Sequence, residues 1–321
     1  MGPNRSWNTT WRPSSFVPQG RRNPMTEFVR TRKSYDDKGE SKRVYPELPE
    51  PLEVGTYDNH THLEIADTDH PLTISQHLEL MRQVNMLGAV QVGVTLDSSV
   101  FSAEVAAREQ MLLAAVAIHP NEAPGYKSLA NLDEDIAAIA ELAGQPRVRA
   151  IGETGLDYFR TEGEQALKLQ AHSFEQHIAI AKEFDLALQI HDRDAHEDVV
   201  KTLLRVGAPE RTVFHCYSGD VDLAEICKQN GWYLSFAGNI TFKKNQHLRD
   251  SLLAVEKSQI LIETDAPFLT PEPLRGRPNA PYLVPHTLRY MASLMGLSAN
   301  DLAGQLNKNT EAVYGLWSEG L

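Results

Sequence analysis

Two histidines are separated by one residue in the stretch TYDNHTHLE, residues 56–64. In an extended chain, residues two apart project to the same side, so the imidazoles of His60 and His62 converge on one point. An isolated pair of this kind is more often the polar end of a strand that faces solvent. Imidazole is also a preferred ligand of several transition metals. The choice between the two interpretations depends on what the rest of the chain brings to the same place.

Other metal-ligating residues stand at the ends of apolar segments that have the composition of β-strands. Glu153 follows VRAIG, His191 follows LALQI, His215 follows TVF, and Asp265 follows ILIET. Each one alone has an ordinary structural explanation, as a hydrogen-bonded histidine or as a carboxylate in an ion pair or cap. Four imidazoles and two carboxylates in one pocket are costly to bury unless a cation compensates them. Together the six residues predict a metal site.

The number of predicted ligands indicates more than one ion. A catalytic ion keeps a position open for water or substrate, so six protein ligands exceed what one ion takes. Two ions bridged by a carboxylate account for the set better, and such pairs, about 3.5–4 Å apart, favour in-line displacement at phosphorus. The ligand types leave the identity of the ions open among Mg, Mn and Zn.

The elements that position these residues follow a regular alternation. Short apolar segments, eight in number, alternate with amphipathic helical patterns: TYDNH, AVQVGVT, LLAAVAIHP, VRAIGETG, LALQIH, TVFHC, WYLSFAG and ILIETD. This alternation predicts a parallel sheet covered by helices, and eight repeats favour closure into a (β/α)8 barrel over an open sheet. No G-x-G-x-x-G or P-loop motif follows the first strand. In such a barrel the C-terminal strand ends share one face, where all six predicted ligands would meet.

Helix ends are indicated by composition. One predicted helix is ISQHLELMRQVNML, residues 74–87, and another is LDEDIAAIAELAG, residues 132–144. Four glycines stand at or just past predicted helix ends, where a left-handed cap is favoured: Gly88, Gly144, Gly207 and Gly231.

Composition divides the chain into two parts. Residues 1–50 carry ten Lys/Arg against six Asp/Glu, in a chain of net charge −12, and they show no amphipathic period. We expect a polar, disordered N-terminal extension over residues 1–50 and an α/β barrel over residues 51–321. No apolar run approaches the roughly 20 residues of a membrane span. Two cysteines make no disulfide framework, which favours the cytoplasm, and no obligate protein partner is indicated.

Taken together, these stretches resemble the TatD family of metal-dependent hydrolases, within the amidohydrolase-like barrels. The stretch from Asp58 to His62 resembles the family's opening D-x-H-x-H, and IGETGLDYF, IHDRDA, FHCYSG, GNITFKK, IETDAPFL and RGRPNAPYLV follow in the family's order. The resemblance covers Tyr57 to Leu316. Two positions depart from the pattern, Asn59 within the first motif and Ala280 within the last. Residues 1–50 lie outside the resemblance.

The resemblance implies a role for each predicted ligand. His60, His62 and Asp265 would hold one ion and His191 and His215 the other, with Glu153 bridging the pair. The family's usual activity is hydrolysis of DNA phosphodiester bonds, commonly from the 3′ end of a single strand, and sometimes of RNA. We therefore expect a deoxyribonuclease acting as a 3′–5′ exonuclease on single-stranded DNA or RNA ends. Asp265 would orient and deprotonate the attacking water, and Glu153 would serve as a ligand at the same catalytic centre.

Substrate contacts are expected from residues near the same rim. Arginine favours bidentate contacts with phosphate, and aromatic rings stack on bases. The candidates are Arg193, Arg275, Arg277, His119 and Tyr158, with Phe159, Lys243 and Lys244 beside them. For each, an ordinary structural role is the competing explanation.

Two other functions fit parts of the pattern. The same metal barrel is suited to cleaving an ester or amide, for example as an aminoacyl-tRNA deacylase, since activated water also attacks a carbonyl carbon. The paired arginines of RGRPN favour phosphate instead. A non-catalytic binding barrel is the other alternative, but it would be expected to lack some of the ligands, and all six positions are retained here.

Overall fold

A parallel, eight-stranded sheet forms the centre of the computed structural model, which describes residues 30–31, 44–66, 68 and 70–318. Each strand lies hydrogen-bonded beside the next one in the chain, and all pairs are parallel. The strands are β1 (Thr56–Thr61), β2 (Met86–Val92), β3 (Leu112–Val116), β4 (Val148–Asp157), β5 (Ala187–Arg193), β6 (Thr212–Phe214), β7 (Tyr233–Phe236) and β8 (Ile260–Ile262).

The sheet curls round so that its last strand meets its first. Beyond the end of β8, Thr61 pairs in parallel with Ala266. The His62 amide donates to the Ala266 carbonyl at 2.8 Å, and the Asp265 amide donates to the His60 carbonyl at 2.9 Å. These contacts complete the barrel at its C-terminal rim, and the predicted (β/α)8 fold is confirmed.

Helices cover the outside of the barrel and close its N-terminal end. They are α1 (Ile74–Gln83), α2 (Leu96–Ala106), α3 (Leu129–Ala143), α4 (Glu164–Glu183), α5 (His196–Val206), α6 (Val221–Asn230), α7 (Gln246–Ala254), α8 (Val284–Met295) and α9 (Ala299–Tyr314). One buried apolar layer lies between strands and helices, and a second one fills the barrel. After α9, Trp317 stacks on Tyr57 at a ring separation of 4.2 Å. Because Tyr57 lies near the start of β1, this pair closes the end of the barrel opposite the rim.

The structure corrects two details of the expected helices. The helix predicted over residues 74–87 ends at Gln83, because Asn85 has a φ of 62° and donates its side-chain amide to the Leu52 carbonyl. Gly88 therefore lies inside β2, where a Cβ would collide with the Trp317 ring, and not in a helix cap. Of the four predicted caps, Gly231 has the left-handed conformation expected.

The segment before β1 is bound to the barrel. Arg277 donates to the carbonyls of Val44 and Tyr45, Tyr282 donates to the carbonyl of Pro46 at 2.6 Å, and the Leu52 side chain is buried. Residues 1–29 and 32–43 of the predicted extension lie outside the described residues. Arg30–Thr31 pairs in parallel with the backbone of Ile65–Ala66. None of the helices in the described ranges has the length and apolar character needed to cross a membrane.

Candidate metal centre

A buried aspartate, Asp58, anchors the two histidines of the first motif at the rim of the barrel. Asp58 accepts hydrogen bonds from the Thr264 amide at 2.9 Å, the Thr264 hydroxyl at 2.5 Å and the His60 amide at 3.2 Å. These bonds join the end of β1 to the chain that follows β8. As a result, His60 and His62 are held beside Asp265, which is two hundred residues away in sequence.

A first cluster of candidate ligand atoms forms where these strands meet. The Nε2 atoms of His60 and His62 lie 3.2 Å apart, and the Glu153 Oε2 atom lies 3.5 and 3.6 Å from them. Asp265 Oδ1 lies 4.0 Å from the first nitrogen and 3.7 Å from the second. Four side chains from three separate parts of the barrel thus converge on one small volume.

A second cluster surrounds the other oxygen of the same glutamate. Glu153 Oε1 lies 2.6 Å from His191 Nδ1, 2.8 Å from His215 Nε2 and 3.2 Å from His119 Nε2. The two oxygens of one buried carboxylate therefore face two different groups of imidazoles. This arrangement matches a carboxylate that bridges two positions.

The hydrogen bonds at the far side of each ring determine which nitrogen carries the proton. His62 Nδ1 lies 2.9 Å from the Val92 carbonyl, His191 Nε2 lies 3.0 Å from Asp157, and His215 Nδ1 lies 3.0 Å from Glu263. A carbonyl or carboxylate oxygen accepts only, so each of these nitrogens is the protonated one. The opposite nitrogen of His62 directs a lone pair into the pocket. Those of His191 and His215 lie 2.6 and 2.8 Å from Glu153 Oε1 and would give up a proton to present a lone pair to a metal ion.

His119 differs from the other histidines in this respect. Its Nδ1 accepts a hydrogen bond from the Asn121 amide at 2.9 Å, so in the neutral ring Nε2 carries the proton and donates to Glu153. The distances alone place His119 in a group that could hold a metal. The proton assignment instead makes it a donor that orients the glutamate, and a role toward substrate stays a prediction.

Two residues that support candidate ligands, Asp157 and Glu263, are absent from the predicted site, although both stand within the motifs quoted above. Asp157 holds His191 and also accepts from Asn121, while Glu263 holds His215. A spacing signal was available, because Asp157 lies four residues after Glu153 in an extended strand, on the same side. Glu263 stands two residues before Asp265, and residues two apart in a strand also project to the same side.

Burial and charge act differently on the members of the centre. Burial lowers the pKa of His62 to about 3, so this ring is neutral. Burial also opposes a proton on His215, but the carboxylates of Glu153 and Glu263 outweigh it and raise the pKa well above its ordinary value. The imidazoles around Glu153 outweigh burial and lower its pKa, whereas burial raises the pKa of Asp265. The second cluster therefore attracts positive charge strongly.

Of the predicted substrate residues, two are hydrogen-bonded to other parts of the protein and two stack on aromatic rings. Arg277 is bound to the carbonyls of Val44 and Tyr45, and the Tyr158 hydroxyl donates to Asp198 at 2.8 Å. Both side chains are thus engaged by the protein itself, and their contacts with substrate stay predictions. Arg275 lies over the Phe242 ring and Arg193 over the Phe159 ring, at 4.3 and 3.9 Å from the ring centres.

A barrel with histidines and carboxylates gathered at the C-terminal ends of its strands is the architecture of metal-dependent hydrolases. Solved structures support this class. The crystal structure of YJJV, a TatD homologue from Escherichia coli K12, superposes with a TM-score of 0.72 at 25% identity and covers 81% of this chain and 98% of that one.

Comparison of sequences defines the family. The family model described as TatD related DNase matches residues 57–315. A protein of Mycobacterium tuberculosis (strain H37Rv) named as an uncharacterized metal-dependent hydrolase TatD is 34% identical over 262 residues, covering 81% of this chain and 97% of its own. The 3′-5′ ssDNA/RNA exonuclease TatD of Erwinia amylovora is 33% identical over 206 residues, covering 62% and 76%. The chain belongs to the TatD family, and it is a metal-dependent hydrolase.

Proposed function

We propose that this hydrolase cleaves phosphodiester bonds of single-stranded DNA or RNA from the 3′ end, using two divalent metal ions. The observation that carries the proposal is the position of Glu153, whose two oxygens face two separate sets of histidine nitrogens. A pair of ions suits displacement at phosphorus, where attacking and leaving oxygens both carry charge. The relative in Erwinia amylovora named as a 3′-5′ ssDNA/RNA exonuclease supports this substrate class.

The residues of the centre fit divalent ions. Neutral His62 directs the lone pair of its Nε2 toward Glu153 Oε2 and Asp265 Oδ1, at 3.6 and 3.7 Å. Without a metal the raised pKa of Asp265 allows a proton to lie between these acceptor atoms, and a divalent cation bound there would replace that proton. We assign one ion to His60, His62 and Asp265 and the other to His191 and His215, with Glu153 shared. Mg²⁺, Mn²⁺ or Zn²⁺ bound there would supply Lewis acidity and a more acidic water.

Within this centre we assign the proton transfer to Asp265. Its side chain is 13% exposed whereas that of Glu153 is 5% exposed, so Asp265 is the carboxylate nearer the opening of the pocket. Hydrogen bonds from its amide to the His60 carbonyl, and from His62 to Ala266, hold it beside the first cluster. Glu153 has its oxygens engaged on both sides and acts as a ligand. Asp265 therefore orients the attacking water and accepts its proton.

The direct test uses single-stranded DNA labelled at its 5′ end. Metal-stripped protein is assayed with Mg²⁺ or Mn²⁺ added back, with EDTA, and as the Asp265→Asn variant. We expect a ladder that shortens from the 3′ end, abolished by EDTA and reduced at least about 100-fold by the substitution, as for loss of a positioned base.

A different result would redirect the proposal. If folded, metal-loaded protein leaves DNA and RNA intact, the phosphodiesterase function is wrong. Hydrolysis of aminoacyl-tRNA by the same protein would then identify an ester hydrolase. Cytoplasmic location, inferred from the free cysteines Cys216 and Cys227, stays a prediction.

A further inference from the structure

The loop after β4 presents an aromatic ring to solvent beside the metal centre. Phe159 is 60% exposed, the most exposed aromatic side chain in the described ranges, whereas the aromatic rings of the core are buried. It stands two residues after Asp157, which binds His191, so at most about 7 Å of chain separates the two Cα atoms. The exposed face of this ring is apolar area that a partner with an apolar face would bury favourably.

An arginine supports this ring from one side. The Arg193 guanidinium lies 3.9 Å from the centre of the Phe159 ring. Backbone pairing sets this geometry, since Asp157 lies opposite Arg193 in the ladder between β4 and β5 and the Tyr158 amide donates to the Arg193 carbonyl at 2.9 Å. Among the described residues, no carboxylate forms an ion pair with Arg193. A guanidinium stacked in this way keeps the N–H donors at its edge available to a phosphate.

We propose that the free face of Phe159 is the stacking site for an unpaired nucleobase of the substrate, with Arg193 holding the ring and contacting the adjoining phosphate. The proposal rests on the nuclease function proposed above and names the residue that selects single strands. Every base has a π-face, so stacking tolerates all sequences, but a base within a duplex has both faces covered by its neighbours. Arg193 occupies one face of the ring, so the opposite face can accept one base.

The test compares a normal oligonucleotide with one whose 3′-terminal residues are abasic. For wild type we expect kcat/KM to be about tenfold higher on the normal strand than on the abasic one, which is the size of effect that stacking of one base usually has. In Phe159→Leu this ratio falls to about one, because leucine is apolar but cannot stack. Leu204→Ala is the matched control, since Leu204 is also 60% exposed but lies on α5, away from the ligand histidines. It should keep the wild-type ratio.

A second measurement separates this proposal from the nuclease function. Binding of a fluorescein-labelled single strand with hydrolysis-resistant phosphorothioate linkages is followed by anisotropy, and we expect Kd to rise about tenfold in Phe159→Leu only. Cleavage by wild type with an unchanged ratio and unchanged Kd in Phe159→Leu would overturn the stacking site and leave the nuclease function standing. Absence of cleavage with a Phe159-dependent Kd would overturn the nuclease function alone. Absence of both would overturn both.

Discussion

At the scale of single residues, the orientation of each histidine ring decides what the residue does. Five rings have a nitrogen 2.6 to 3.6 Å from an oxygen of Glu153, yet their outer hydrogen bonds differ. His62, His191 and His215 each donate to an oxygen outside the pocket, so the opposite nitrogen can present a lone pair to a metal ion, whereas His119 accepts from a backbone amide. Ligand identity is therefore a matter of proton position, which distance alone does not reveal.

This difference predicts the metal content of two alanine variants. His191→Ala should lose one of the two ions, because it removes a lone pair from the second cluster. His119→Ala should keep both, because Nε2 of His119 carries a proton. Metal per chain is measured by mass spectrometry of gel-filtered protein, with circular dichroism as the check of folding. Equal loss of metal in both variants would show that His119 is a ligand.

At the scale of elements, β4 and β5 share a long ladder and carry Glu153 and His191 of the second cluster. Their ladder continues to Gly155 opposite His191 and Asp157 opposite Arg193. Gly155 has a φ of 136°, and a Cβ on it would collide with the His191 carbonyl oxygen. A glycine is required here both for the backbone conformation and for the close approach of the two strands.

Replacement of this glycine should disturb the strand pair that holds His191. We expect Gly155→Ala to lower the free energy of unfolding by roughly 3 kcal/mol or more, from positive-φ strain together with the steric clash. Gly125→Ala is the control, since nothing lies within 4 Å of a Cβ at that position, and it should change stability by less than about 0.5 kcal/mol. Urea unfolding in EDTA measures both. Equal midpoints for the two variants would refute this account.

At the scale of the whole molecule, a buried histidine joins helix to sheet beneath the metal centre. His177 on α4 accepts from the Ile118 amide at 3.2 Å through Nε2, and its Nδ1 lies 3.1 Å from the Thr154 hydroxyl. The ring must be neutral to accept that bond, and burial lowers its pKa to about 4 from an ordinary value of 6.5. Protonation of this one side chain therefore opposes the packing of α4 on the barrel.

The lowered pKa predicts how stability depends on pH. Between pH 6.5 and 4 the unfolded chain binds a proton at His177 and the folded chain does not, so stability is complete above pH 6.5 and is lost as the pH falls. From pH 7 to 5 the contribution lost is about 2 kcal/mol. His177→Gln should be less stable at pH 7 but should show a correspondingly smaller loss toward pH 5. Urea unfolding at both pH values measures this difference, and parallel losses in the two proteins would contradict it.

The amount of the fold that the sequence predicts follows from periodicity. Alternation of apolar strands and amphipathic helices is a local property, so eight strands and their C-terminal residues can be located without a structure. Helix ends are less certain, as Asn85 shows by ending α1 before the expected residue. The metal-ligating residue types and their strand-end positions likewise depend only on local spacing.

What the sequence determined by itself is thus the barrel and the set of His, Glu and Asp side chains at its rim. Only the tertiary structure decided which ring nitrogen faces the pocket, that Arg277 binds the segment before β1, and that Phe159 stands exposed against Arg193. The physical reason is that these properties depend on partners distant in sequence, such as Glu263 for His215. Hydrogen bonds and burial between distant residues exist only once the barrel has closed.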